Sequence, residues 1–96
     1  MRTAKYFSAP WCSPCKMFQP IMNEVANEGY SVEFINIDKD GDQATQYNVR
    51  SVPTVVIIEN GVEVDRFIGA LPKRKVLQKL NGWRDQKINQ ETFITL

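Results

Sequence analysis

Apolar residues recur along this chain with two different periods, and each change of period marks an element. Thr3 to Ser8 is short, mixed and compatible with a strand. From Ser13 to about Glu28, Met17, Phe18, Ile21, Met22 and Val25 return at helical spacing. Pro20 falls inside that pattern and removes the bond to the Lys16 carbonyl, so a kink and not a stop is expected. Gly29 suits the end of the helix. Val32 to Ile37 reads as a strand with Val32, Phe34 and Ile35 buried. Asp38-Lys39-Asp40-Gly41-Asp42 is turn chemistry, and Gln43 to Tyr47 supports a short helix at most.

In the second half, Val55 to Ile58 is a continuous apolar run, the pattern of a strand covered on both faces. Asn60-Gly61 signals a two-residue hairpin, with Val62 to Ile68 pairing back and Gly69 ending the strand. Pro72 suits the first turn of a helix over Lys73 to Trp83, with Val76, Leu77, Leu80 and Trp83 on one face. The order β-α-β-α-β-β-α predicts an α/β fold. The first two strands run parallel through a right-handed crossover and the last two form an antiparallel hairpin. That is a four-stranded mixed sheet flanked by helices. The domain is expected to span residues 1–83. Residues 84–96 hold Ile88, Phe93, Ile94 and Leu96 among polar neighbours. They are compatible with a flexible C-terminal extension, a segment packed on the domain, or one used on a partner.

Ninety-six residues make one small domain, and 43% hydrophobic with 24% charged is ordinary for a globular chain. A net charge of +1 gives no bulk field for nucleic acid or membrane. No apolar run approaches the length of a spanning helix, and the first residues lack the apolar core of a secretory signal. A cytoplasmic, reducing compartment is the expectation. There, a lone cysteine pair is more often catalytic than structural.

The only two cysteines sit in Trp11-Cys12-Ser13-Pro14-Cys15, two residues apart, between the first strand and the first helix. Backbone N–H groups are unpaired there and the helix dipole is positive, which favours thiolate over thiol. The spacing also lets one sulfur reach the other. A structural zinc site needs four Cys or His ligands, and this chain has two Cys and no His, so one chain cannot close such a site and a cluster bridging two chains is the metal reading left open. A bridge closing so small a loop restrains little of the unfolded chain, so a purely structural disulfide is disfavoured. Asp38-x-Asp40-Gly41-Asp42 misplaces its glycine for a calcium loop and has Val49 where the last ligand belongs. Lys73-Arg74-Lys75 reads as a solvated helix face, with a docking patch as the alternative.

The chain resembles the thioredoxin family in Trp11-Cys12-Ser13-Pro14-Cys15-Lys16-Met17, Asn36-Ile37-Asp38, Arg50-Ser51-Val52-Pro53-Thr54, Asn60-Gly61 and Ile68-Gly69-Ala70, in family order over roughly residues 3–83. The resemblance implies a thioredoxin-like fold and thiol–disulfide oxidoreductase activity without a cofactor. It implies that Cys12 is the exposed nucleophile, Cys15 the buried resolving thiol, and Val52–Pro53 a cis peptide. It further implies that Trp11, Val52, Pro53, Ile68, Gly69 and Ala70 form an apolar substrate groove. Ser13-Pro14 resembles the intervening pair of thioredoxins more than that of glutaredoxins. By the same resemblance the partners are disulfide-bearing proteins, ribonucleotide reductase being one family-level target. Thioredoxin reductase or the glutathione system would be the electron donor, and the protein a monomer. A docking module that does not use its thiols, and an oxidase or isomerase, remain open at this point.

Three departures from the family matter. The usual N-terminal strand and helix have no counterpart, since eleven residues precede Cys12, which trims the chain toward glutaredoxin topology. Tyr6 stands where thioredoxins carry a buried aspartate, and Phe34 where they carry its lysine. The two losses are mutually consistent, because a buried lysine without an acid partner is costly to keep charged. Cys15 is therefore expected to lack a dedicated carboxylate base. A phenol, titrating near ~10, is a poor substitute.

Overall fold

The computed structural model describes residues 2–82 of the chain. Strand β1 (Arg2–Ser8) leads into helix α1 (Ser13–Asn27), then β2 (Ser31–Asn36), α2 (Gly41–Gln46), β3 (Thr54–Glu59), β4 (Val62–Ile68) and α3 (Lys73–Asn81). The strands form one mixed sheet in the order β2-β1-β3-β4. β1 and β2 run parallel, with Tyr6 opposite Phe34 and Ser8 opposite Asn36. β3 is antiparallel to both of its neighbours. This is the expected β-α-β-α-β-β-α arrangement. The expectations for Trp83 and for residues 84–96 lie outside the described residues.

Two apolar layers hold the sheet. On one face Phe18, Met22 and Val25 of α1 and Val76 and Leu80 of α3 cover Ala4, Tyr6, Val55 and Ile57 of the sheet. On the other, Phe7, Ile35, Val56 and Ile58 pack beneath Ala44 and Tyr47 of the α2 region. β3 is buried from Thr54 to Ile58 because it contributes to both layers. Helix α1 continues through Pro20, and its chain turns away at Gly29, where φ is +99°. Asn60 and Gly61 both take positive φ, 55° and 81°, as a tight hairpin between right-twisted strands requires.

Phe34 departs from expectation. It shares the α1 face with Tyr6 yet is 45% exposed, and Val32 is only half-buried. The reason is position: β2 is an edge strand, so its side chains have neighbours on one side only. Pro72 caps α3 rather than occupying its first turn.

Phe18 is fully buried and edge-on to both Tyr6 (5.5 Å between centroids) and Phe67 (6.2 Å). Phe18→Ala is expected to lower the unfolding free energy by about 3–5 kcal/mol. Urea unfolding followed by tryptophan fluorescence measures this, and a loss below ~1 kcal/mol would contradict the packing described.

Candidate active site

The site is assembled at the ends of β1, β2 and β3 by three short loops. Cys12 is the N-cap of α1, and its sulfur accepts the backbone N–H of Cys15 at 3.2 Å. Ser13 and Pro14 open the helix, where a proline costs no backbone bond. No acidic side chain stands in the first turn, so nothing there opposes negative charge on the sulfur. Cys12 and Cys15 are joined as a disulfide with their Cα atoms 5.2 Å apart. Ala9, Ile37 and Val52 pack around the pair.

Cys12 is 5% exposed and Cys15 3%. Cys15 is buried as implied, but Cys12 is not the exposed residue the resemblance implied. In the oxidised form its sulfur is bonded to Cys15 and held over the helix end beneath Ala9, Ile37 and Val52.

Beside the pair runs the loop before β3. The Val52–Pro53 peptide is cis. Thr54, the one buried polar residue among those described, donates its hydroxyl to the Ser51 carbonyl at 2.7 Å and closes this turn. The Pro53 carbonyl accepts the Gly69 N–H at 2.8 Å, which fixes the Ile68-Gly69-Ala70 segment against the loop. Gly69 has φ +89°, a backbone that favours glycine. Ile68 is 68% exposed and Trp11 65%, apolar surface left bare on either flank. Trp11 donates its indole N–H to the Asp38 carboxylate, at 3.1 and 3.3 Å to the two oxygens. A core role for Trp11 is thereby excluded.

Tyr6 lies behind the cysteines and is fully buried. Its hydroxyl donates to the Cys15 carbonyl at 3.1 Å. Burial pushes its pKa up, and a hydrogen bond with Ser8 pulls the other way. The net upward shift keeps the phenol protonated across the working pH range. Phe34 meets the Tyr6 ring edge-on at 5.9 Å, so the pair forms an aromatic contact behind the cysteines. Among the described residues no group of three or more His, Cys, Asp or Glu is placed to hold a metal. Nor is any helix among them long and apolar enough to cross a membrane.

Asp38, Thr54 and Ser51 were not singled out as site residues by sequence reasoning. Asp38 reads locally as a turn residue, and its partner Trp11 is 27 positions away. Only the strand order brings the two together.

Since the Tyr6 hydroxyl is a fixed donor, Tyr6→Phe is expected to leave the pH dependence of mixed-disulfide resolution unchanged. It should cost about 1 kcal/mol of stability for the lost bond. A stopped-flow pH series on both proteins decides this; a displaced profile would mean that the phenol takes part in proton transfer.

A family model described as Thioredoxin matches residues 5–82. A thioredoxin from Mycoplasma genitalium is 43% identical over 78 residues, 79% of this chain and 76% of that protein. A chloroplastic M-type thioredoxin from Spinacia oleracea is 48% identical over 81 residues, 80% of this chain and 44% of that protein. The solved structure of a mutant thioredoxin from Halobacterium salinarum superposes with a TM-score of 0.80 at 28% identity, covering 85% of this chain and 74% of that one.

Proposed function

This chain belongs to the thioredoxin family, and from that premise we propose how its cysteines divide the work: Cys12 attacks and Cys15 resolves. The protein is a thiol–disulfide oxidoreductase acting on protein disulfides through the Cys12–Cys15 pair. The observation that carries the assignment is the Cys12 sulfur at the N-cap of α1, accepting a backbone N–H. When the pair is reduced, that donor and the helix dipole stabilise a thiolate on Cys12 and not on Cys15.

The cycle follows. The Cys12 thiolate attacks one sulfur of a substrate disulfide, and the other leaves as a thiolate that takes up a proton. The target lies extended beside Val52 and Pro53, against apolar surface from Trp11, Ile68, Gly69 and Ala70. Cys15 then attacks Cys12, the second substrate sulfur leaves, and the Cys12–Cys15 bridge remains. Two electrons have passed to the substrate. The Cys12 burial seen in the oxidised form suits this product state, because reduction releases the sulfur from its partner.

Renewed activity requires an electron donor, and thioredoxin reductase or the glutathione system would supply it. We place the protein in a reducing compartment, the cytoplasm, as a monomer. Ribonucleotide reductase is one substrate the family offers.

Cys15→Ser is expected to accumulate stable mixed disulfides with target proteins through Cys12. Cys12→Ser should capture none, nor should the double variant. The check is non-reducing electrophoresis with mass spectrometry of the adducts. Equal capture by all three would assign the surface, and not the thiols, to the protein's role.

A further inference from the structure

Resolution requires that the Cys15 thiol lose a proton, and among the described residues no carboxylate or imidazole lies against it. On β1, Tyr6 is a donor to the Cys15 carbonyl, with its pKa raised. On the loop after β2, Asp38 is engaged by the Trp11 indole, on exposed surface. On α1, Lys16 is a cation. The chain has no histidine.

One feature of the fold does face Cys15. An open cavity of about 390 Å³ lies between the ends of β1 and β2 and the first turns of α1, lined by Ser8, Pro10, Cys15, Lys16, Gln19 and Asn36. It is large enough for several waters, and Ser8, Lys16, Gln19 and Asn36 on its wall give them polar partners. Ser8 and Asn36 are opposite one another in the last rung of the parallel pair, on the same face as Tyr6 and Phe34 and two residues further along. The Tyr6 hydroxyl, two residues before Ser8 on the same face of β1, is held on the Cys15 carbonyl. The Asn36 Oδ1 accepts the Asp38 N–H at 2.9 Å, which leaves its NH₂ as a donor to water. Among the described residues no carboxylate lines this space.

We propose that this cavity is the proton exit of the resolving cysteine, with Ser8 and Asn36 as positioning residues for the water that accepts the proton. The inference rests on Cys15 being the resolving thiol. In the step, the Cys15 S–H bond breaks and its proton passes to cavity water. The sulfur's electron pair forms the bond to Cys12 as the bond from Cys12 to the substrate breaks. The substrate departs as a thiolate and is protonated by solvent. The Lys16 ammonium on the cavity wall favours the transient Cys15 thiolate.

The test uses the reduced full chain and the aromatic disulfide 5,5′-dithiobis(2-nitrobenzoate), whose two thiolates report separately. Attack by Cys12 releases the first coloured thiolate, and resolution by Cys15 releases the second. Ser8→Val removes the hydroxyl and adds a branch at the end of a strand, and Ser8→Thr, which has the shape of valine, keeps the branch and restores the hydroxyl. Gln19→Phe fills the cavity from the helix surface. The expected result is an unchanged first phase with a second phase slowed roughly tenfold in Ser8→Val and Gln19→Phe, short of the ~100-fold of a dedicated base. Ser8→Thr should resemble the parent, and the slowed variants should recover as pH rises. If both phases match the parent at every pH, the proton exit is wrong and the roles of the cysteines stand. If Cys12→Ser keeps the first phase and Cys15→Ser loses it, the roles of the cysteines are wrong.

Discussion

Cys12 caps α1 with its own sulfur, which accepts the Cys15 N–H at 3.2 Å. Most of what the molecule offers chemically depends on that one contact. It requires a helix to begin at Ser13, a loop to deliver Cys12 just ahead of it, and a first turn free of acidic side chains. The sheet supplies the rest. β1 aims its chain at the helix start, and the Ser8 carbonyl accepts the Ile37 N–H at 2.9 Å, so the loop after β2 is fixed beside it. The loop before β3 arrives on the other side, closed by Thr54 and joined to Gly69. The sulfur pair is thus enclosed by backbone that the sheet register defines.

Behind the pair, the molecule uses aromatic packing and a neutral hydroxyl, with no charged side chain among the described residues. Tyr6 reaches the Cys15 carbonyl with a hydroxyl, and its ring makes edge-on contacts with Phe18 and Phe34. A buried ion pair must recover a desolvation cost through near-ideal geometry, and an aromatic cluster has no such requirement. Tyr6, a donor with its pKa raised by burial, gives the interior beside Cys15 no proton acceptor at neutral pH.

Much of this was legible along the chain. The hairpin at Asn60-Gly61, the two-faced burial of β3 and the helix behind Cys15 are local patterns, and local patterns are what periodicity reports. The cysteine spacing and its place before a helix carried the chemistry. Other features depend on strand order, which periodicity does not encode. Phe34 reads as buried because it is apolar and alternates correctly, yet it is half-exposed because β2 lies at an edge. The Trp11–Asp38 bond and the Ser8–Asn36 rung join residues 27 and 28 positions apart. Cys12 is buried in a cluster with Ala9, Ile37 and Val52, which three separate loops bring together, and that convergence is not written in local sequence.

The most direct measurement is the alkylation rate of Cys12 in the reduced protein against pH, with the alkylated residue identified by mass spectrometry and a parallel series in denaturant. In the folded chain the rate should reach its plateau at a lower pH than in denaturant, because only the folded chain has a helix end beneath the sulfur. Coincident curves would show that the helix end does not stabilise the thiolate, and the account given for Cys12 would be wrong.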